Sequence, residues 1–300
     1  MKTHPTIIIA VDFTASSPHL LAHAVKLASA NGGRLVAAHV IHEGHLENWV
    51  KLTGRKANVE ARCADVTPLL QKLVDEHCAG IETKIDVRIG RPFKMLKQMI
   101  IDHKAELLIV GAHNMPNKHV GPVACRCART VSSNVLILRN WKAKSFAKIA
   151  VCVNFQHASK TALKRAIDFA RIHQASLEII HVIYPPDQDP WGNTMEQPAD
   201  KQIPYETMIR NRAAKRLDTF LKPFSKRLDA IEWSTLILES ASPAAVIAAH
   251  VNALHIDLNV IGSNDSSWVE NFVLGSTTER LLHDSKCSLL ITRDQHLEGG

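Results

Sequence analysis

The chain contains two copies of one sequence pattern, and this duplication constrains its fold more than any other feature. The first copy opens with the apolar segment Thr6–Asp12, and the second opens with Lys148–Asn154. The last residues of these segments are 142 positions apart, and so are His39 and His181, each of which precedes a Val-Ile pair. A repeat of this length is a whole domain rather than the unit of a solenoid. The 300 residues are therefore predicted to form two domains.

Each copy alternates apolar runs of strand length with segments of helix length, which is typical of an α/β fold with a parallel sheet. Runs such as 107–110 are apolar at successive positions, as expected for strands that are covered on both faces. We place the domains at residues 1–142 and 146–300. The predicted strands lie near residues 6–11, 35–41, 82–88, 107–111 and 134–139, then 148–153, 177–183, 232–238, 258–262 and 287–292. The predicted helices lie near residues 18–30, 58–78, 92–103 and 121–130, then 160–173, 205–228, 243–254 and 276–284.

Composition indicates a soluble protein of the cytoplasm. Apolar residues make up 46% of the chain, and no apolar run approaches the roughly 20 residues that a membrane-spanning helix needs. The first residues, Met1–Pro5, run into a strand without the apolar region of a signal peptide. The six scattered cysteines are interpreted as reduced packing residues. We expect no association with a membrane.

The positive charge is concentrated in the first copy. The net charge is +7, and residues 1–143 carry 19 Lys and Arg against 11 Asp and Glu. Such an excess can serve an anionic partner. The chain has no run rich in Lys and Arg, however, so a solvated surface is the preferred interpretation and nucleic acid is not an expected partner.

A candidate phosphate-binding turn lies near the end of the second copy. The strand ending at Gly262 is followed by Asp265, and the segment Gly275–Thr277 opens a helix. Ligands of parallel α/β sheets bind beyond the carboxyl ends of the strands, where the N–H groups of a helix N-terminus attract phosphate. The alternative is that Ser276 is an ordinary N-cap that forms a capping box with Glu279. Local sequence leaves both interpretations open.

These features resemble the universal stress protein (UspA) superfamily over essentially the whole chain, as two tandem copies. The segment Arg91–Phe93 and Asn154 make the chain most similar to tandem members of the universal stress protein E type. The resemblance implies two Rossmann-like domains, each a five-stranded parallel sheet flanked by helices, packed as an internal pseudo-dimer. The segments 135–139 and 289–293 are expected to pair where the two copies meet. ATP-binding members of the family carry Gly-x2-Gly-x9-Gly-(Ser/Thr), an Asp at the end of the first strand and a second-strand residue against the adenine.

The two copies retain different parts of this motif. The second copy has Asp265 where the family has its second glycine and Asn154 where the family has the strand-end Asp. The first copy keeps Asp12, Val40 and Gly111, but its loop is shorter and the expected Ser is Pro122, which lacks an N–H donor. The resemblance therefore implies an ATP site in the second copy alone. Its expected residues are Asn154, Val182, Gly262, Asp265, Gly275, Ser276 and Thr277.

Metal and enzyme interpretations have less support. His113, His119, Cys125 and Cys127 are close in sequence, and their side chains suit zinc. The two cysteines are two positions apart on a predicted helix and would project to different sides, so no metal is predicted. The chain has neither a Gly-x-Ser-x-Gly nor a Gly-Lys-(Ser/Thr) motif. We therefore predict no catalysis beyond weak ATP hydrolysis.

Two functions remain open at this point. The first is a cytoplasmic, non-catalytic stress-response or regulatory protein that holds ATP in its C-terminal domain. The alternative is an interaction or ligand-carrier protein whose vestigial ATP pockets hold another anionic or apolar ligand. In either case the candidate partners are a small ligand and other proteins, and a further homodimer is open.

Overall fold

The computed structural model describes residues 4–44, 59–112, 120–139, 145–185, 205–263 and 274–293. Asp265, His113 and His119, which were singled out in the sequence, lie outside these residues. The chain forms two compact units. The first unit contains the described residues up to 145 together with 288–293, and the second contains the described residues between 146 and 287.

Strands and helices alternate along both copies. The first copy contains β1 (Thr6–Ala10), α1 (Ser17–Asn31), β2 (Arg34–His42), α2 (Val59–His77), β3 (Thr83–Gly90), α3 (Pro92–Asp102), β4 (Leu107–Gly111), α4 (Pro122–Thr130) and β5 (Asn134–Leu138). The second copy contains β6 (Lys148–Cys152), α5 (His157–His173), β7 (Ser176–Ile183), α6 (Tyr205–Leu221), α7 (Ser225–Leu228), β8 (Trp233–Glu239), α8 (Pro243–Ala253), β9 (Leu258–Gly262), α9 (Ser276–Asp284) and β10 (Ser288–Thr292).

The sheets have the mostly parallel order that the alternation predicts. In the first unit the order is β3-β2-β1-β4-β5-β10, and the first five strands are parallel. In the second unit β9, β6, β7 and β8 lie in that order and are parallel. The predicted α/β fold, with helices flanking the sheets, is confirmed.

One predicted helix is interrupted. The sequence predicts a single helix over residues 205–228, but α6 ends at Leu221 and a short 3-10 turn, Lys222–Phe224, separates it from α7. Pro223 lies inside that turn and has no N–H with which to continue the α-helical hydrogen bonds. The prediction of one continuous helix was wrong for this reason.

The last strand of the chain completes the sheet of the first unit. β10 runs antiparallel to β5, with Leu290 opposite Leu136. The strand is followed by Arg293, whose side chain is only 1% exposed. Its backbone N–H donates to Asn134 Oδ1 at 2.9 Å, and its guanidinium donates to the carbonyl of Ala128. These bonds fix the end of β10 against β5, in agreement with the predicted pairing of residues 135–139 with 289–293.

The core of the second unit contains polar groups where the first unit has apolar ones. Asn259, the second residue of β9, is fully buried, and its Oδ1 lies 3.5 Å from Cys152 Sγ. Its Nδ2 has no hydrogen-bond partner among the described residues. The same position of β4 is Leu108. A buried amide without a partner costs about 1–3 kcal/mol.

We therefore predict that Asn259→Leu raises the free energy of unfolding by about 1–2 kcal/mol, because it removes a buried Nδ2 donor that has no partner among the described residues and gives up only the weak bond from Cys152 Sγ. Urea unfolding followed by circular dichroism measures the change. The matched control, Leu108→Asn, places a polar group in the apolar core of the first unit and is expected to lower stability by about 1–3 kcal/mol. A loss of stability in Asn259→Leu would contradict this account.

Candidate nucleotide site

Three of the predicted site residues lie level with one another at the carboxyl ends of the second unit's central strands. In the sheet register, Cys152 pairs with Ile180 on one side and with Ile261 on the other. Asn154, Val182 and Gly262 follow these residues by one or two positions. They therefore share one edge of the sheet, the carboxyl edge at which α/β proteins bind ligands.

Asn154 organises the turn that leads from β6 into α5. Its Oδ1 accepts hydrogen bonds from Ser159 Oγ at 2.6 Å and from the backbone N–H of Gln156 at 3.1 Å. The backbone N–H of Asn154 donates to Ser159 Oγ at 2.9 Å. The side chain therefore closes its own turn, as Asn and Asp commonly do.

Asp12 does the same in the first unit, which explains why the two copies can differ here. Its Oδ1 accepts from Thr14 N–H at 3.0 Å, from Thr14 Oγ1 at 2.7 Å and from Ser17 Oγ at 3.1 Å. Both Asp and Asn offer one such oxygen. Replacing the carboxylate with an amide thus keeps the turn and removes the negative charge.

The turns also contain a feature that the sequence analysis missed. Phe13 and Phe155, which follow Asp12 and Asn154, adopt left-handed backbone conformations with φ of 60° and 65°. Each ring packs on a histidine of the next strand, with centroids 4.7 Å apart for Phe13–His39 and 4.3 Å for Phe155–His181. Residues other than glycine rarely adopt this conformation, and it is concentrated at functional sites. The recurrence of Phe at the repeat spacing was the available signal.

The recurring histidines have a packing role. His39 Nδ1 lies 2.7 Å from the carbonyl of Val11, and His181 Nδ1 lies 2.9 Å from that of Val153. A carbonyl oxygen only accepts, so Nδ1 donates in both rings. Burial lowers the pKa of His181, and the positive charge of Arg216 lowers it further, against the opposing effect of the Val153 bond. The imidazole is therefore held neutral in the folded protein.

This lowered pKa predicts a pH dependence of stability. The unfolded chain takes up the His181 proton near pH 6.5, before the folded protein does, so protonation favours unfolding as the pH falls below that value. We expect the loss of unfolding free energy between pH 7.5 and pH 5 to be smaller in His181→Gln than in the parent chain. Urea unfolding midpoints at several pH values measure this loss. If the midpoint changes equally with pH in both proteins, the assignment of the pH dependence to His181 is refuted.

Different constraints explain the two glycines of the predicted phosphate turn. A Cβ on Gly262 would lie 2.5 Å from the carbonyl oxygen of Ala158, so the end of β9 can approach α5 only if this residue has no side chain. A Cβ on Gly275 would have nothing within 4 Å among the described residues. The φ of Gly275 is −60°, a value open to any residue. Packing explains Gly262, whereas a ligand that occupied the open space would explain Gly275.

The structure argues against one of the two interpretations of Ser276, the capping box. Gly275 occupies the N-cap position of α9, Ser276 is the first helical residue, and no side chain within the described residues caps the helix. The capping box of Ser276 with Glu279 is therefore not formed. The first helical hydrogen bond runs from Glu279 N–H to the Gly275 carbonyl at 3.0 Å. The three N–H groups of residues 276–278 precede this bond, as at any helix N-terminus.

The corresponding helices of the two units begin with different chemistry. α9 begins with three hydroxyl residues, 276–278, and α4 begins with Pro122, Val123 and Ala124. Gly121 is the N-cap of α4 and has nearly the same backbone conformation as Gly275. The two helices thus share the backbone conformation of the N-cap, but only the start of α9 has hydroxyl groups that could donate to an anion.

We predict that the two glycines respond differently to an added methyl group. Gly262→Ala should lower the free energy of unfolding by about 1–3 kcal/mol, because its Cβ meets a backbone carbonyl that cannot move away cheaply. Gly275→Ala should change it by less than about 0.5 kcal/mol, because the position is exposed and its φ is ordinary. Chemical unfolding of both variants provides the measurement. Equal destabilisation would refute the assignment of different roles.

A metal site is not formed by the described residues. No group of three or more His, Cys, Asp or Glu side chains in them is arranged to hold an ion. Cys125 and Cys127 are both buried in α4. Burial raises the pKa of the Cys127 thiol to about 12, which keeps the thiol protonated at neutral pH. Within the same described residues, no helix is long and apolar enough to cross a membrane.

The fold defines a class of protein: an α/β protein in which a mostly parallel sheet with flanking helices occurs twice. The chain belongs to the universal stress protein family, whose family model matches residues 4–139 and again 145–293. It therefore contains two tandem domains of this family.

Individual relatives agree with this assignment. Two relatives that carry universal stress protein in their names, from Staphylococcus haemolyticus and Staphylococcus aureus, are 23% and 25% identical to it. Each match covers 51% of this chain and 88% or 87% of the relative, as a duplicated chain predicts.

Solved structures share the fold over the whole length. A universal stress protein from Archaeoglobus fulgidus superimposes with a TM-score of 0.65 at 16% identity, and the match covers 96% of this chain and 98% of that one. A functionally unknown protein from Pseudomonas aeruginosa gives a TM-score of 0.67 at 15% identity, over 97% and 92% of the two chains. At these identities the likeness concerns the fold alone.

Proposed function

We propose that this protein is a cytoplasmic, non-catalytic stress-response or regulatory protein that binds an adenine nucleotide, ATP, in its C-terminal domain alone. The proposed domains are residues 1–142 and 146–300. The proposed site consists of the sheet-edge residues Asn154, Val182 and Gly262 together with Asp265 and the helix start at 275–277. The observation that carries the proposal is the open space at Gly275, which no described residue fills and no backbone requirement explains.

The start of α9 suits a phosphate group for three reasons. The N–H groups of its first turn lie ahead of the first helical hydrogen bond, and the helix dipole places partial positive charge there. Ser276 is exposed and Thr277 is half-buried, so their hydroxyls can add donors to the same anion. Asn154 removes the negative charge that Asp12 has at the equivalent turn, which lowers the repulsion of a triphosphate.

A purely regulatory role follows from the chemistry of the site residues. Among the proposed site residues, Asp265 is the one carboxylate, and Asn154, Val182, Ser276 and Thr277 supply neither a second acid–base group nor a metal-ligand pair that would activate a water molecule. We propose that any ATP hydrolysis is weak and that the bound nucleotide changes how the protein meets protein partners. We also propose that the chain is of the E type, on the strength of Asn154 and the segment Arg91–Phe93.

Isothermal titration calorimetry of the full chain with ATP, with and without magnesium, tests the proposal. We expect saturable binding, and a loss of at least tenfold in affinity in Gly275→Val, whose side chain would fill the space left for phosphate. The matched control is Gly121→Val at the equivalent N-cap of α4, which should leave ATP affinity unchanged. The absence of saturable binding at millimolar ATP would refute the proposal, as would equal losses in the two variants.

Asp265→Gly tests how far the native site departs from an ATP site. This change restores the family glycine and removes a carboxylate, so we expect a rise in ATP affinity. A rise from undetectable to strong binding would favour the alternative function, a ligand carrier with vestigial ATP pockets. That alternative is supported by one observation, a cavity in the first unit.

A further inference from the structure

The first unit contains a cavity of about 270 Å³ at the carboxyl edge of its sheet. The cavity lies beside the ends of β1, β2 and β4 and the beginning of α4, the position that corresponds to the proposed nucleotide site of the second unit. Its walls are formed by Ala10, Val11, Asp12, Ala38, His39, Val40, Pro92, Leu96, Val110, Gly111, Gly121, Pro122, Val123 and Ala124. Ligand pockets of small molecules start at about this size.

Three positions in the wall of the cavity have smaller side chains in the first copy than in the second. Ala38 in β2 corresponds to Ile180 in β7, since each precedes the recurring histidine by one position. The third residue of α4 is Ala124 and that of α9 is Thr278. The fourth residue of β4, Val110, corresponds to Ile261. At each of these three positions the side chain is smaller in the first unit than in the second.

The chemistry of the walls excludes a phosphate and favours an apolar ligand. The described lining residues include no Lys or Arg, and the start of α4 offers no hydroxyl and one N–H fewer, because Pro122 has none. Asp12 contributes a carboxylate at the rim, which repels an anion. Apolar walls favour an apolar ligand, because its binding removes apolar surface from water.

The charge of Asp12 bears on the polar part of such a ligand. A carboxylate repels an acidic group and attracts a hydrogen-bond donor, and it accepts several hydrogen bonds at once. A hydroxyl or amine at the mouth of the cavity would therefore suit Asp12 better than an acid, while the apolar body of the ligand lies against Ala38, Val40 and Leu96.

We propose that the first unit binds an uncharged organic ligand with an apolar body and one hydrogen-bond donor, and that it does not bind nucleotide phosphates. This site is separate from the proposed nucleotide site and goes beyond the proposed function. The two copies would then hold ligands of opposite character: an anion at the start of α9 and an apolar, uncharged molecule beside α4.

Fluorescence titration of the full chain with N-phenyl-1-naphthylamine tests the proposal. This probe is uncharged, has a single N–H donor and becomes bright in apolar surroundings. We expect saturable binding of one probe molecule and a loss of at least tenfold in affinity in Ala38→Ile, which introduces the side chain that the second unit carries. Ala124→Thr, which introduces the residue found at position 278, provides an independent second variant. Circular dichroism confirms that both variants fold.

Two controls connect the probe to this cavity. Gly275→Val should leave probe binding unchanged, and millimolar ATP should not displace the probe. The proposed function can therefore fail, through absent ATP binding, while probe binding persists, and the reverse can also occur. Full probe affinity in both folded cavity variants would overturn the proposal, as would the absence of saturable binding to the parent chain.

The anionic analogue 1-anilinonaphthalene-8-sulfonate tests the role of Asp12. The parent chain should bind it in the cavity at least tenfold more weakly than the uncharged probe, because the sulfonate meets the carboxylate. Asp12→Asn keeps the oxygen that closes the turn and removes the charge. It should therefore reduce the difference in affinity between the anionic and the uncharged probe. The part of the fluorescence signal that is lost in Ala38→Ile is assigned to binding in the cavity. An unchanged preference in Asp12→Asn would show that Asp12 does not select the ligand.

Discussion

The carboxyl edges of both sheets depend on one interaction, the hydrogen bonds accepted by the side-chain oxygen that follows the first strand of each unit. Asp12 Oδ1 and Asn154 Oδ1 each collect hydrogen bonds from the residues that lead into the next helix. With the turn closed in this way, the next residue, Phe13 or Phe155, takes a left-handed conformation and packs on the recurring histidine. The edge is thus built before any ligand is present, which reduces the entropy lost on binding.

The two copies keep this frame and differ in what surrounds it. Hydroxyl residues open α9 and apolar residues open α4. Ala38, Val110 and Ala124 of the first unit correspond to the larger residues Ile180, Ile261 and Thr278 of the second. The second unit also tolerates the buried amide of Asn259 where the first has Leu108. Duplication allows such divergence because one copy can change its ligand chemistry while the other retains its own. The asymmetry therefore concerns side chains, and the backbone is common to both.

Sequence reasoning succeeded where periodicity carries the information. Alternating apolar strands and helices predicted the parallel sheets, and the repeat spacing placed the equivalent strand ends at the correct edge. It failed at residues 222–224, where one proline outweighed the helical pattern. It could not tell whether Ser276 is an N-cap or a phosphate-binding residue, because the N-cap position depends on the backbone conformation of Gly275. It also could not show that Gly262 is needed for its approach to Ala158, a contact made by residues about a hundred positions apart.

The sequence by itself determined the family, the duplication and the loss of the hydroxyl and N–H at Pro122, because each of these is a property of residue type and spacing. Only the tertiary structure decided that the first copy, whose phosphate turn is damaged, nevertheless has a cavity. The volume of the cavity depends on the placement of small side chains from β1, β2, β4 and α4 relative to one another. No single segment of the sequence contains that information. The same reason separates Gly275, which faces open space, from Gly262, which faces a carbonyl.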